Sequence, residues 1–139
     1  MFEKLQKNYA EKFYFLFRVV VGLMFALHGA QKFGLIGDGN VAGFAGIFGF
    51  PVWIAFLVSF VELVGGLGIL FGFFTRLSAL GGAIVMLWAL ATVHFPQGWN
   101  PLGNGGELPL LFTVSFLMFM LYGAGKWSLE KALLKKEFF

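Results

Sequence analysis

The sequence predicts an all-α integral membrane protein: four transmembrane helices in a bundle, both termini cytoplasmic, and a C-terminal amphipathic interfacial helix. Three observations carry this. Hydrophobic residues make up 59% of the chain and charged residues only 12%, against about 25% charged in a soluble domain. The apolar residues fall in helix-sized blocks. The basic residues gather on one side of those blocks, with Lys32 alone on the other. Residues 1–139 read as a single membrane domain.

A spanning helix needs roughly 20 mostly apolar residues. The first block is Phe13–Phe33, interrupted by Arg18 and His28. Its end, "HGAQKFG", is a poor small-x-small cleavage site, so a retained span is expected rather than a cleaved signal peptide. The run Val41–Phe50 is apolar but too short to cross, which suits a re-entrant or interfacial segment beside Pro51. The second block, Val52–Phe74, carries one charge, Glu62, and the third, Leu77–Phe95, carries none. The fourth, Leu108–Tyr122, is short, so it either borrows from Gly123 to Gly125, giving a helix of about 108–123, or sits where the bilayer thins. Glu107 and Pro109 suit its first turn, where an acid complements the helix dipole and proline withholds no needed donor.

Lys4, Lys7, Lys12 and Arg18 precede or open the first block, and Arg76 lies in the second connection. Lys126, Lys131, Lys135 and Lys136 follow the fourth block. The positive-inside rule therefore places both termini in the cytoplasm. The tail "KWSLEKALLKKEFF" mixes Trp127, Leu129, Leu133, Leu134 and Phe138 with lysines, the pattern of a helix lying on a membrane surface.

There are no cysteines, so disulfides, thiol redox chemistry and cysteine-ligated metals are excluded within the chain. Neither Glu-x-x-His nor His-x-x-x-His spacing occurs, and no metal is assigned. No glycine-rich nucleotide loop with strand context is present, and the net charge of +3 gives no support to nucleic-acid binding.

Ionisable groups within a span are costly and usually face the bundle interior or a cavity. At about 100° per residue, Phe25 lies roughly 20°, Lys32 roughly 40° and His28 roughly 80° from Arg18, on one arc of the first helix. Glu62 comes eleven residues after Pro51, which puts it roughly 16 Å deep, near the midplane. Its helical neighbours Gly65 and Gly66 would let another helix pack closely. His28 and Arg18 lie on either side of it in depth, and both are candidates to pair with it. Arg18 has a second reading as a residue snorkelling to the inner headgroups. Lys32 could equally be an interfacial anchor, and His94 a hydrogen-bonded interface histidine. With this topology His28, Gln31, Lys32, His94 and Glu107 share the outer side above Glu62. A haem held by His28 and His94 is disfavoured, because both lie at the same depth.

These residues fall in segments that resemble the DoxX family of small four-helix bacterial membrane proteins. The resemblance covers nearly the whole chain. It rests on "HGAQKFG" (28–34), "FGFP" (48–51), "VELVGGLGILFGFFTRLSAL" (61–80), "TVHFPQGW" (92–99), "GNGGELPL" (103–110) and "GAGKWSLEK" (123–131). Glu130 departs from it, an aspartate being expected after "SL". The resemblance implies a bacterial inner-membrane protein. The family's namesake is a small subunit of a thiosulfate:quinone oxidoreductase, and relatives are linked to redox balance and oxidative-stress complexes. The enzyme label itself does not transfer: the chain has no cysteine to handle sulfur, and no flavin or haem site is recognisable.

The first expectation is a redox-associated inner-membrane subunit with an outward-opening polar pocket. Glu62 and His28 would handle protons as the catalytic pair, and Gln31, Lys32, His94 and Glu107 would bind the ligand. Quinone is the cofactor the resemblance allows; the residues assign none. Besides the lipid bilayer, the partner would be a redox protein or a second copy of the chain. The second expectation is a non-catalytic accessory or assembly protein, with Glu62 in a structural pair. The third is a small solute or proton permease, for which the inner half offers only Arg18.

Overall fold

The computed structural model describes residues 2–137. Phe138, part of the tail pattern above, and the Lys7 side chain lie outside the described residues. Every regular element among the described residues is helical. In chain order these are α1 (Phe2–Lys32), α2 (Val41–Phe48), α3 (Val52–Phe60), α4 (Gly66–Phe71), α5 (Thr75–Ala89), α6 (Pro101–Asn104), α7 (Glu107–Tyr122) and α8 (Leu129–Leu134). A π turn, Val61–Gly65, joins α3 to α4, so Val52–Phe71 runs as one helix. A second π turn, Leu90–His94, followed by a 3-10 turn, carries α5 on to Gln97.

Three of these helices are long and apolar enough to cross a membrane: Tyr9–Lys32, Val52–Phe71 and Thr75–Gln97. Glu107–Tyr122 is apolar but has only 16 residues, about 24 Å against a hydrocarbon core of about 30 Å. Large apolar side chains such as Val64, Leu77, Ile84, Leu111 and Leu121 point outward from these helices. The protein is thus a membrane protein whose helices meet lipid.

Helix ends follow local chemistry. Asn40 caps α2, its side-chain oxygen accepting the Gly43 N–H at 2.7 Å, and the helix stops at Gly49 in the left-handed region. Val52–Phe71 starts after Pro51 and stops at left-handed Gly72. Phe73 and Phe74, which the sequence pattern placed inside a span running to 74, therefore belong to a turn. The next helix begins at Thr75 rather than at Leu77. The first helix starts well before Phe13, because residues 2–12 continue it without a break.

The first helix packs along Val52–Phe71 at close range. A side chain at Gly29 would collide with the backbone of Leu63 and Ser59, and one at Gly66 with the backbone of Ala26. Such approach maximises dispersion contact where lipid supplies no hydrophobic drive between helices. α5 packs along α7, and both close on Phe25 of α1 and Ile69 of α4. Ala79, Ala83, Met86, Phe112, Phe116 and Phe119 complete this core, with the Phe25 and Phe116 rings edge to face at 4.7 Å.

The two ends of the chain meet at one end of the bundle. Tyr14 donates its hydroxyl hydrogen bond to the Gly123 carbonyl at 2.6 Å, and Lys126 pairs with Glu11 at 3.3 Å. The tail then folds back. Its regular helix is only Leu129–Leu134, the Glu130 N–H donates to the Gly72 carbonyl, and Ser128 and Glu130 are buried.

Candidate functional site

At the opposite end of the bundle from the termini, a cavity of about 580 Å³ opens between α1, α2, α3, α5 and α7. That volume is in the range of small-molecule sites. Glu62, on the π turn, lies at its wall and is 4% exposed. Its Oε2 accepts a hydrogen bond from the Lys32 ammonium, and the two form an ion pair. The Lys32 ammonium also stands over the Phe44 ring, 4.7 Å from its centre. One charge pair is thereby enclosed between α1, α2 and the π turn.

This pairing corrects the expectation that His28 or Arg18 would be the partner of Glu62. Gly29 faces Ser59 and Leu63, while Gly22 faces Leu70. Glu62 is therefore level with the last turns of α1, and the Lys32 side chain reaches it. The offset of α1 against the second span decides the partner, and a count along one helix does not contain it. Arg18 is eleven residues from Gly29, about 16 Å along the helix. It does not snorkel either: it is 1% exposed and donates to the backbone carbonyls of Ile69 (3.2 Å) and Trp127 (2.6 Å).

His28 lines the same cavity, half-buried, its ring edge-on to Phe112 at 5.9 Å. Among the described residues it makes no hydrogen bond. His94 lines it from the end of the second π turn. Its Nδ1 lies 2.8 Å from the Asn104 carbonyl. A carbonyl only accepts, so Nδ1 carries the proton and Nε2 keeps a lone pair in the neutral ring. Asn104 is buried and holds this loop twice over, donating to the Gly98 carbonyl and accepting from the Gly106 N–H, both at 2.7 Å.

Gln31 also lines the cavity, although it is largely exposed. Glu107 does not line it; it opens α7 with its side chain exposed. Gly66 meets α1, whereas a side chain at Gly65 would find only ordinary contacts with Ser78 and Phe25. No three His, Asp or Glu side chains converge as metal ligands among the described residues.

The residue pattern does not single out which aromatics wall the cavity. Phe44 and Phe48 of α2, with Phe50, Trp88 and Phe112, give the cavity an aromatic wall beside the ion pair. The available signal was the short run after Asn40, a capped helix too short to span and placed beside polar residues of the first block. Of the ionisable wall residues beyond α1, Asp38 lies in the loop before α2, while Glu62 and His94 sit on π turns. Such a turn inserts one residue and re-aims the side chains after it by about 100°, and π turns recur at functional sites.

Comparison with known proteins agrees with this architecture. The DoxX family model matches residues 13–95. The chain is 37% identical over 136 residues to an uncharacterized protein of Haemophilus influenzae, covering 93% of this chain and 99% of that protein. It is 34% identical over 108 residues to the inner membrane protein YqjF of Escherichia coli, covering 72% of this chain and 82% of that one. It is 28% identical over 120 residues to a Bacillus subtilis protein named "Putative oxidoreductase CatD", covering 86% of each. No solved structure is significantly similar to it. With a matched segment that covers more than half of its length and contains Lys32, Glu62 and His94, the chain belongs to the DoxX family.

Proposed function

We propose that this protein is a redox-associated subunit of the bacterial inner membrane whose cavity takes the head of a quinone. Residues 1–139 form one unit with α7 as a fourth span and both termini cytoplasmic. The meeting of Tyr14 with Gly123 at one end of the bundle supports an even number of crossings, and the basic residues at that end support its orientation. The cavity then opens on the outer side. The tail would lie at the inner surface.

The observation that carries this reading is the buried Lys32–Glu62 pair in the wall of an aromatic-lined cavity. Aromatic side chains hold a flat conjugated ring. The Lys32 ammonium has donors beyond the one given to Glu62, and it would hydrogen-bond a quinone oxygen. Glu62 holds that ammonium in place, and His28 and His94 offer ring nitrogens from other walls. A bound quinone would take up two electrons and two protons. The electrons would come from a redox-protein partner, and His28 and Glu62 would pass protons toward the oxygens. The name of the Bacillus subtilis relative, "Putative oxidoreductase CatD", points to the same class of chemistry.

One observation favours the non-catalytic alternative: Glu62 already has its charge partner, as an assembly protein would need. Quinone binding separates the two readings. Titration of a short-chain quinone into the purified protein should quench Trp88 fluorescence saturably. Lys32→Met should weaken that binding about tenfold, the worth of one hydrogen bond from a charged donor. No saturable binding, together with full function of Glu62→Gln in a redox-stress complementation assay, would leave the assembly role.

A further inference from the structure

Arg18 is a buried cation that the cavity at the other end does not use. Its two terminal nitrogens reach only backbone carbonyls, and its Nε has no hydrogen-bond partner among the described residues. No carboxylate forms an ion pair with it among the described residues. Leaving such a charge enclosed without an anion is costly.

Arg18 lines a groove of about 720 Å³ between α1, α4 and the folded-back tail. Val19, Leu70 and Phe71 form an apolar wall, and Lys126 and Lys131 stand at the tail side. Trp127 is half-exposed there, its ring edge-on to Phe15 at 5.5 Å, and the Arg18 guanidinium lies 5.4 Å from the Phe15 ring centre. Tryptophan beside lysine at the end of an apolar helix is the arrangement found at headgroup depth. Three acids lie in this region: Glu11 and Glu137 are each engaged by a lysine of the rim, and buried Glu130 accepts from the Phe74 N–H. Arg76 also lies 4.0 Å from Glu137, so four cations, Arg18, Arg76, Lys126 and Lys131, stand against three carboxylates. The region lacks one negative charge.

We propose that this groove is a binding site for an anionic phospholipid. The phosphate would sit at the Lys126 and Lys131 rim beside Arg18, and an acyl chain would follow Val19, Leu70 and Phe71 along the helices. Basic pockets between membrane helices hold acidic headgroups in this way. A zwitterionic lipid would fill the wall but leave the rim uncompensated.

The full-length protein, reconstituted in phosphatidylcholine with a minor fraction of phosphatidylglycerol, tests this by native mass spectrometry of the lipid retained. Phosphatidylglycerol should be retained well above its share of the mixture. Lys126→Gln should reduce that retention about fivefold, the effect of one lysine near a charged surface. Ala132→Trp, at an exposed position lining the groove, should displace lipid by filling the space while keeping every charge. Helicity and thermal unfolding in pure phosphatidylcholine check that both variants fold. Equal retention of the two lipids overturns the site, as does phosphatidylglycerol retention unaffected by both variants. An adduct with inorganic phosphate but none with phospholipid also overturns it.

Discussion

Lys32, the last residue of α1, forms an ion pair with Glu62 inside the bundle, and Phe44 of α2 covers the ammonium. The pair ties together three segments that local sequence leaves independent: the end of the first helix, the π turn of the second span and the short helix between them. Its side chains are 17% and 5% exposed, so water does little to screen it.

Removing one partner of such a pair leaves the other charge enclosed, at a cost of about 3–5 kcal/mol. Lys32→Met should therefore destabilise the protein strongly. Glu62→Gln should cost less, since an amide oxygen still accepts from Lys32. The double variant Lys32→Met with Glu62→Leu should recover much of the Lys32→Met loss, because replacing both charges by apolar groups is often near neutral. Thermal unfolding of the four proteins in one detergent checks this. A double variant no more stable than Lys32→Met would show that the pair is not the unit.

Composition alone was enough to mark the long helices, because an apolar run of about 20 residues has few other stable forms in a membrane. The polar cluster could be read only in part. His28, Gln31 and Lys32 were visible at the end of one block, and His94 at the matching end of another. The partner of Glu62 was not visible, because helix offset is set by where two backbones fit closest. Here that fit is made by Gly22, Gly29 and Gly66. The role of Arg18 was hidden for a related reason. Its acceptors are the carbonyls of Ile69 and Trp127, 51 and 109 residues away, and a carbonyl leaves no mark in a residue pattern. The π turns at Glu62 and His94 were equally silent, since no residue preference marks them.

The helix contact gives a paired prediction on adjacent glycines. Gly66→Ala would drive a methyl into the Ala26 backbone, which cannot rotate away as a side chain can. Overpacking of this kind costs about 1–3 kcal/mol. Gly65→Ala meets nothing closer than the Ser78 carbonyl at 3.6 Å. It should be neutral or stabilising by up to about 1 kcal/mol, through the lower entropy of the unfolded chain and better helix propensity. Unfolding midpoints of the two single variants decide the matter. Equal effects would mean that α1 and α4 are not in backbone contact at Gly66.

The tail offers a pH-dependent test outside the membrane helices. Burial pushes the Glu137 carboxyl up, but the Lys131 and Ala124 hydrogen bonds, with the charges of Lys131 and Arg76, outweigh it and hold the carboxyl below its ordinary range. A carboxyl depressed by folding contributes stability that is complete above its unfolded value, near 4.5. That contribution is lost as pH falls through the lower folded value. The carboxylate accepts from Ala124 and from Lys131, which also donates to the Gly125 carbonyl. Its protonation should thus loosen residues 124–137 before the helical core. Hydrogen exchange over these residues should rise on acidification below about 4.5. In Glu137→Gln the rise should already be present at neutral pH, and its acid dependence should be lost. Unchanged tail protection down through this range in the parent protein would mean that the carboxylate does not hold the tail.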